Sequence, residues 1–393
     1  MREEGALPEV RSGRALAGFF LSGFLLALLG AILPAWGYHR DPEDFIAVGN
    51  CFLSVAAGVA IATRLGRRLI ARHGLRMVMI NACAASSVTL IYLATVSPPI
   101  SNWCRFAGLL FLGACAGALN RALFQAISAS YRRDAAATVI RGGIWYGLGC
   151  MAATLLVFGA FYAYSVETIL LFMAAVPAVF AALYYKASFP AAERAVHPCR
   201  SQALRDFRSF GAILFALLLF FQFGNEWSIA GWLSLFLVRR LGISPPASLG
   251  LLALFWTALL VGRVTAVAII PKVRHGRLLG GSVLAALFGC MLLELTDNQF
   301  GAGAGLLLLG AGFASIYPLV AEKIGGRFPY YHPVFFSGIF SFALFGGLIA
   351  PAALGYAAAI WGIGVVVAVP LLGTFMVSAL IVLIWLESKV TGR

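Results

Sequence analysis

The stretch Gln222–Phe223–Gly224–Asn225–Glu226–Trp227–Ser228–Ile229–Ala230–Gly231–Trp232 lies in the middle of an apolar run from about 210 to 238. A bilayer is crossed by about 20 consecutive apolar residues, so this run is long enough to span one. Glu226 falls near its centre. A carboxylate at that depth costs several kcal/mol unless it finds a partner or water, which makes it a candidate functional group. Gln222, Asn225 and Glu226 stand at i, i+3 and i+4, and so form one polar face of a helix.

The rest of the chain has the same character. Of 393 residues, 61% are hydrophobic and 11% charged, whereas a soluble domain is nearer half apolar and a quarter charged. Long Leu, Ala, Val, Gly and Phe runs replace strand alternation, so the spans are helices and not barrel strands. Twelve are drawn, at about 14–35, 45–66, 77–97, 104–130, 138–163, 166–187, 210–238, 248–271, 278–296, 302–322, 334–358 and 363–386. The fold class is therefore an all-α membrane protein of twelve transmembrane helices.

The net charge of +14 sits in the loops and is not a nucleic-acid footprint. Arg2, Arg11 and Arg14 precede span one. Arg64, Arg67, Arg68, Arg72 and Arg76 follow span two, and further Lys and Arg residues mark every second loop after that. The opposite side holds only Arg40, Arg105, Arg239 and Arg240. This bias places both termini in the cytoplasm of a multi-pass protein of an inner or plasma membrane. The first apolar run reads as a retained helix and not a cleaved signal. The cysteines show no CxxC spacing and the histidines no metal-ligand spacing. With no Walker loop, no nucleophile–base pair and no regular arginine spacing, the expectation is neither an ATP-driven pump, nor an enzyme, nor a voltage sensor.

The polar segment around 188–208 divides the chain into 1–187 and 209–393, and these halves repeat. Arg72–His73–Gly74 recurs as Arg274–His275–Gly276. Gly23 and Gly30 match Gly224 and Gly231; Gly113 matches Gly310; Gly143–Ile144 matches Gly338–Ile339. Repeated six-span halves are a transporter plan, with the site near the midplane between them.

On these features the chain resembles the major facilitator superfamily, with two pseudo-symmetric six-helix lobes. The loop Ala71–Arg72–His73–Gly74–Leu75–Arg76 resembles the family's Gly-x-x-x-Asp-Arg-x-Gly-Arg-Arg signature, with Ala71 where the Asp stands. Gly224–Asn225–Glu226–Trp227 through Gly231–Trp232, and Phe255–Trp256 with Gly262–Arg263, resemble the branch of fucose:proton symporters and sodium-dependent glucose transporter-like proteins. The chain departs from that branch in span four, where Asn120 and Arg121 stand in place of an acid. The resemblance implies that spans one, four, seven and ten line a central cavity, that no cofactor beyond a coupling proton or sodium ion is used, and that the protein works as a monomer.

The candidate site residues follow. Asn120, Arg121 and Gln125 share a face of span four with Gly113 and Gly117. Arg121 is expected in the cavity as a second pole to Glu226, or else snorkelling toward the interface. Glu226 binds or couples as a protonatable carboxylate, or it serves as counter-ion to Arg263 or Arg121. Arg263 is a gating residue or a structural tie. Trp227, Trp232 and Trp256 stack on solute or pack, and Tyr317, beside Pro318, offers a hydroxyl. The function expected is secondary transport of a sugar or polyol by alternating access. The alternative is an organic-anion or drug-like compound carrier anchored by Arg121. A non-transporting sensor is a third reading.

Overall fold

The computed structural model describes residues 6–40, 44–128, 130, 135–187, 189, 209–269, 272–327 and 339–391. Asp41, Glu43, nearly all of the segment 188–208, His197, His332 and Gly338 lie outside these. Eleven helices run through the described residues: α1 Ala6–Ile32, α2 Asp44–Thr95, α3 Asn102–Ala126, α4 Ala135–Ala160, α5 Val166–Tyr185, α6 Phe210–Leu241, α7 Pro245–Ile269, α8 His275–Leu295, α9 Gln299–Arg327, α10 Ile339–Trp361 and α11 Val365–Thr391. Each is long and apolar enough to cross a membrane.

Eleven helices make twelve crossings because α2 is folded back on itself. Its 52 residues are interrupted at Gly74, with φ 80° and ψ 163°. That backbone region is open almost solely to glycine. A Cβ at Gly74 would meet nothing within 4 Å, so the demand is conformational and not steric. The two arms are antiparallel. Gly113 of α3 packs on Val55 and Gly108 packs on Leu93. One of these neighbours precedes Gly74 and the other follows it by the same number of residues, yet both lie within two turns of each other on α3. Thus the arginine-rich loop expected over 67–76 is itself helical on both sides of one residue. It contains no proline, and its Arg, Leu, Ala and Ile residues sustain a helix beyond the apolar span.

The shared glycines hold equivalent places in the two halves. Gly23 lies against the backbone of α4 at Tyr146, and Gly224 lies against α10 at Ala350. Gly113 meets α2, as Gly310 meets the backbone of α7 at Phe255. Small residues let these helices approach where no hydrophobic force between helices is available in lipid. Accordingly α1 packs on α4 as α6 does on α10, and α2 on α5 as α8 does on α11. The halves meet through α2 against α10 and α4 against α7, which exchange under the same pseudo-symmetry. The window of α1 that would cross the bilayer is 78% buried and that of α5 only 28%, so α1 is central and α5 faces lipid.

One end of the bundle carries Arg64–Arg76, Lys272 and Arg274; it is called here the arginine-rich end. The other carries the turns at 33–40, 97–101, 161–165, 242–244, 296–298 and 362–364.

Candidate functional site between the two halves

Glu226 is buried, and so is its partner. Arg263 of α7 donates through Nη2 to Glu226 Oε1 at 3.2 Å. The same guanidinium reaches the other half of the molecule, donating through Nη1 to the Gly143 carbonyl of α4 at 2.7 Å. A Cβ at Gly143 would come within 3.3 Å of Arg263 Cδ, Nε and Cζ, so this glycine makes room for the guanidinium. Arginine suits the position because its planar fork satisfies two acceptors at once. A buried carboxylate would be prohibitively desolvated alone; paired and hydrogen-bonded it can remain charged.

This pair lines a central cavity with about 170 Å³ of space for solvent. Every helix from α1 to α10 except α5 and α8 contributes to it. Its polar groups include Thr63, Asn120, Thr138, Tyr146 and Tyr317 beside the ion pair, and its walls are Phe19, Phe124, Phe223, Trp227 and Phe340. Asn120 is oriented by Ser22, whose hydroxyl donates to Asn120 Oδ1 at 2.6 Å. Tyr317 stands edge-on to Phe223 with ring centroids 4.9 Å apart. The lining runs to Thr63, Ile127 and Thr138, near the arginine-rich end.

Toward the opposite end the halves are tied together. A Cβ on Gly30 of α1 would collide with the Ala230 carbonyl of α6, and Ser234 donates to the Gly30 carbonyl at 2.8 Å. Gly49 of α2 faces Gly355 of α10 with no room for a side chain, and Tyr356 donates to Asn50 Oδ1 at 2.7 Å. The Trp232 ring stacks on Phe52, and its N–H donates to the Pro351 carbonyl at 2.8 Å. Arg239 donates to the carbonyls of Arg40 at 2.9 Å and His39 at 3.2 Å. Burial, with Arg40 and Arg239 alongside, holds the His39 imidazole below its ordinary value.

The expected residues divide. Glu226, Trp227, Asn120, Tyr317 and Arg263 line the central cavity. Gln222 and Asn225 are buried within the second half and do not. Asn225 points to α11, where its Nδ2 donates to Thr374 Oγ1 at 3.2 Å and Gly373 leaves space for its amide. The i, i+3, i+4 stripe therefore straddles two environments, because three residues on one face still fan over about 100° of helix. Gln125 is half-buried and outside the lining. Arg121, expected as the second pole, packs on Gly66 of α2 close to Arg67 and is also outside the lining. Arg263 lies against Glu226. Trp256 shares a face of α7 with Arg263, but two turns further along, in a separate cavity. Tyr146, Thr63, Thr138 and the Gly143 carbonyl join the site without having stood out in the sequence. Tyr146 carried a signal, as a phenol between Gly143 and Gly147 in an otherwise apolar span; a backbone carbonyl carries none.

A helical bundle of twelve crossings, built of repeated halves around a cavity at their interface, defines a membrane transporter. A profile of the Major Facilitator Superfamily matches residues 15–352, and the chain belongs to that superfamily. It is a transporter, not an enzyme, and needs no cofactor. An uncharacterized MFS-type transporter from Yersinia pestis is 25% identical over 359 residues, covering 86% of this chain and 87% of the relative. Among solved structures, the nucleoside transporter NupG aligns with TM-score 0.69 and 16% identity, over 95% of this chain and 99% of that one. The D-xylose–proton symporter gives 0.73 and 13%, over 93% and 96%. The fucose:proton symporter of E. coli gives 0.62 and 16%, over 95% and 98%. At these identities the structures show a shared fold.

Proposed function

We propose that the protein carries a neutral, polyhydroxylated solute of the sugar or nucleoside kind, with Glu226 as the proton-coupling group. The observation that carries this reading is the neutralisation of Glu226 by Arg263 inside the cavity. Among the described lining residues these are the charged ones, and each is engaged. What remains for a solute is hydroxyls, one amide and aromatic faces. Such a surface matches hydroxyl groups and a ring, since amides both donate and accept and aromatic faces stack. An organic anion would need an unengaged cation, and Arg121 stands away from the lining. The symporter and nucleoside-transporter folds above are consistent with this class.

The arginine-rich end is read as cytoplasmic. The cavity then faces inward, sealed on the outside, and the lobes 1–187 and 209–393 rock about it, joined by 188–208. Protonation of Glu226 releases Arg263 from its carboxylate and lets solute and lobe contacts compete for the guanidinium. One chain holds the whole cavity, so the monomer is the working unit.

Uptake into proteoliposomes under imposed proton or sodium gradients tests the reading. Tritiated hexoses, pentoses and nucleosides are compared with organic anions. Proton-driven uptake of a neutral solute, uncoupled or lost in Glu226→Gln, is expected. Transport confined to anions refutes it, and normal coupled transport by Glu226→Gln reduces Glu226 to a counter-ion.

A further inference from the structure

A second, smaller cavity of about 50 Å³ lies beyond the central one, toward the arginine-poor end. The two have Leu26, Tyr146 and Trp227 in common. These residues come from α1, α4 and α6, so both halves of the molecule build the wall between the cavities. On its far side the smaller cavity is bounded by Phe52 and by Gly30 and Gly231, where α1 and α6 touch.

The lining is apolar except at three aromatic residues, Tyr146, Trp227 and Trp256. Trp256 is 3% exposed and its indole N–H has no acceptor. Buried donors are nearly always paired, so an orphan in a cavity wall calls for an acceptor that enters the cavity. The space of about 50 Å³ holds water, which needs only about 10–15 Å³, and a solute oxygen can take the place of that water; a whole ring enters only as the wall between the cavities moves aside. Trp256 lies seven residues before Arg263, about 10 Å along the same face of α7. The two cavities are therefore stacked along one path between the halves.

We propose that the smaller cavity is a second binding station on the solute's route. There the Trp256 N–H donates to one oxygen of a neutral ring-bearing solute, and the Tyr146 and Trp227 side chains form the partition that the solute passes to reach the central cavity. The solute class rests on the reading of the central cavity given above; the partition does not.

Two experiments separate these. In a background with the native cysteines replaced, Ala230→Cys marks the smaller cavity and Thr63→Cys the central one. A water-soluble methanethiosulfonate applied from the arginine-rich side is expected to label Thr63→Cys and spare Ala230→Cys. Adding Tyr146→Ala or Trp227→Ala is expected to open Ala230→Cys to the reagent. Labelling of Ala230→Cys without those changes overturns the partition. In the second experiment, tritiated hexoses and their singly deoxygenated analogues are transported by wild type and by Trp256→Phe. The variant is expected to raise KM five- to tenfold, the worth of one buried hydrogen bond, for every sugar except the one lacking the oxygen that Trp256 contacts. An equal change for all analogues, or none, overturns the donor assignment while leaving neutral-solute transport intact. If no neutral sugar or nucleoside is carried, the solute class and the donor role fall together, and the labelling result still decides the partition.

Discussion

Breaking the Glu226–Arg263 pair from one side should cost far more than removing it whole. Both side chains are buried, with 7% of each exposed, and they sit 3.2 Å apart. Glu226→Gln keeps the size and one hydrogen bond but leaves a guanidinium without a counter-charge. Arg263→Met keeps the apolar stem, strands the carboxylate, and removes the donor to Gly143. Truncating one partner of such a pair costs about 3–5 kcal/mol, whereas replacing both by neutral residues of similar volume is often close to neutral. The double variant should therefore be far more stable than the sum of the singles implies, because most of the two single losses, about 6–10 kcal/mol together, is not incurred when both charges are gone. The Gly143 carbonyl adds little to the double variant's loss, because it still accepts the helical N–H four residues on. Thermal unfolding in detergent, read as loss of the monodisperse chromatographic peak, orders the four proteins. Wild type and double variant are expected near each other, with both singles below. Additive losses would refute it, and would mean that the two groups are stabilised by separate partners and not by one another.

Three other outcomes are expected. Gly143→Ala places a Cβ within 3.3 Å of three Arg263 atoms; displacing the guanidinium forfeits a charged hydrogen bond of about 1.5–3 kcal/mol between the halves, and distances between spin labels at the arginine-rich end should broaden, while unchanged distributions would show that the contact does not hold the halves. Gly74→Ala forces a side chain into a glycine-only backbone region with no steric neighbour, costing about 1–3 kcal/mol, which a lowered unfolding temperature would register and an unchanged one would contradict. His39 is held below its ordinary value here; on the proposed alternation an opened form would return it to about 6.5, so as pH falls below that value the opened form would take up a proton that this form does not, and the seal is expected to weaken with acidification and to be unaffected above it. Label-to-label distances between Ile100 and Leu295 should lengthen as pH falls from 7 toward 5 in wild type, and stay constant in His39→Gln; equal responses would place the pH sensor elsewhere.

The chain alone was enough to establish the membrane, the helices and the repeat. Those properties follow from composition and local periodicity: about 20 apolar residues must pair their backbone internally in lipid whatever their neighbours are. The glycine pairs Gly23/Gly224 and Gly113/Gly310 were visible as a repeat because close helix approach constrains residue size at fixed positions. Glu226 was conspicuous because of its cost in an apolar run. Its partner was not. Arg121 and Arg263 were equally deep in their spans, and nothing local distinguishes an arginine that turns toward α2 from one that crosses to α6. That choice depends on helix rotation, which is set by packing between distant segments: Gly66 leaves room for Arg121, and Gly143 leaves room for Arg263. The same rotation sends Asn225 to Thr374 although it adjoins Glu226 in sequence. The Gly143 carbonyl, the partition at Tyr146 and Trp227, and the seal at Gly30 and Ser234 arise from both halves at once. Sequence set which groups were costly to bury; tertiary structure decided which of them met, because a charge in a low-dielectric interior is settled by whichever partner the packed helices bring within reach.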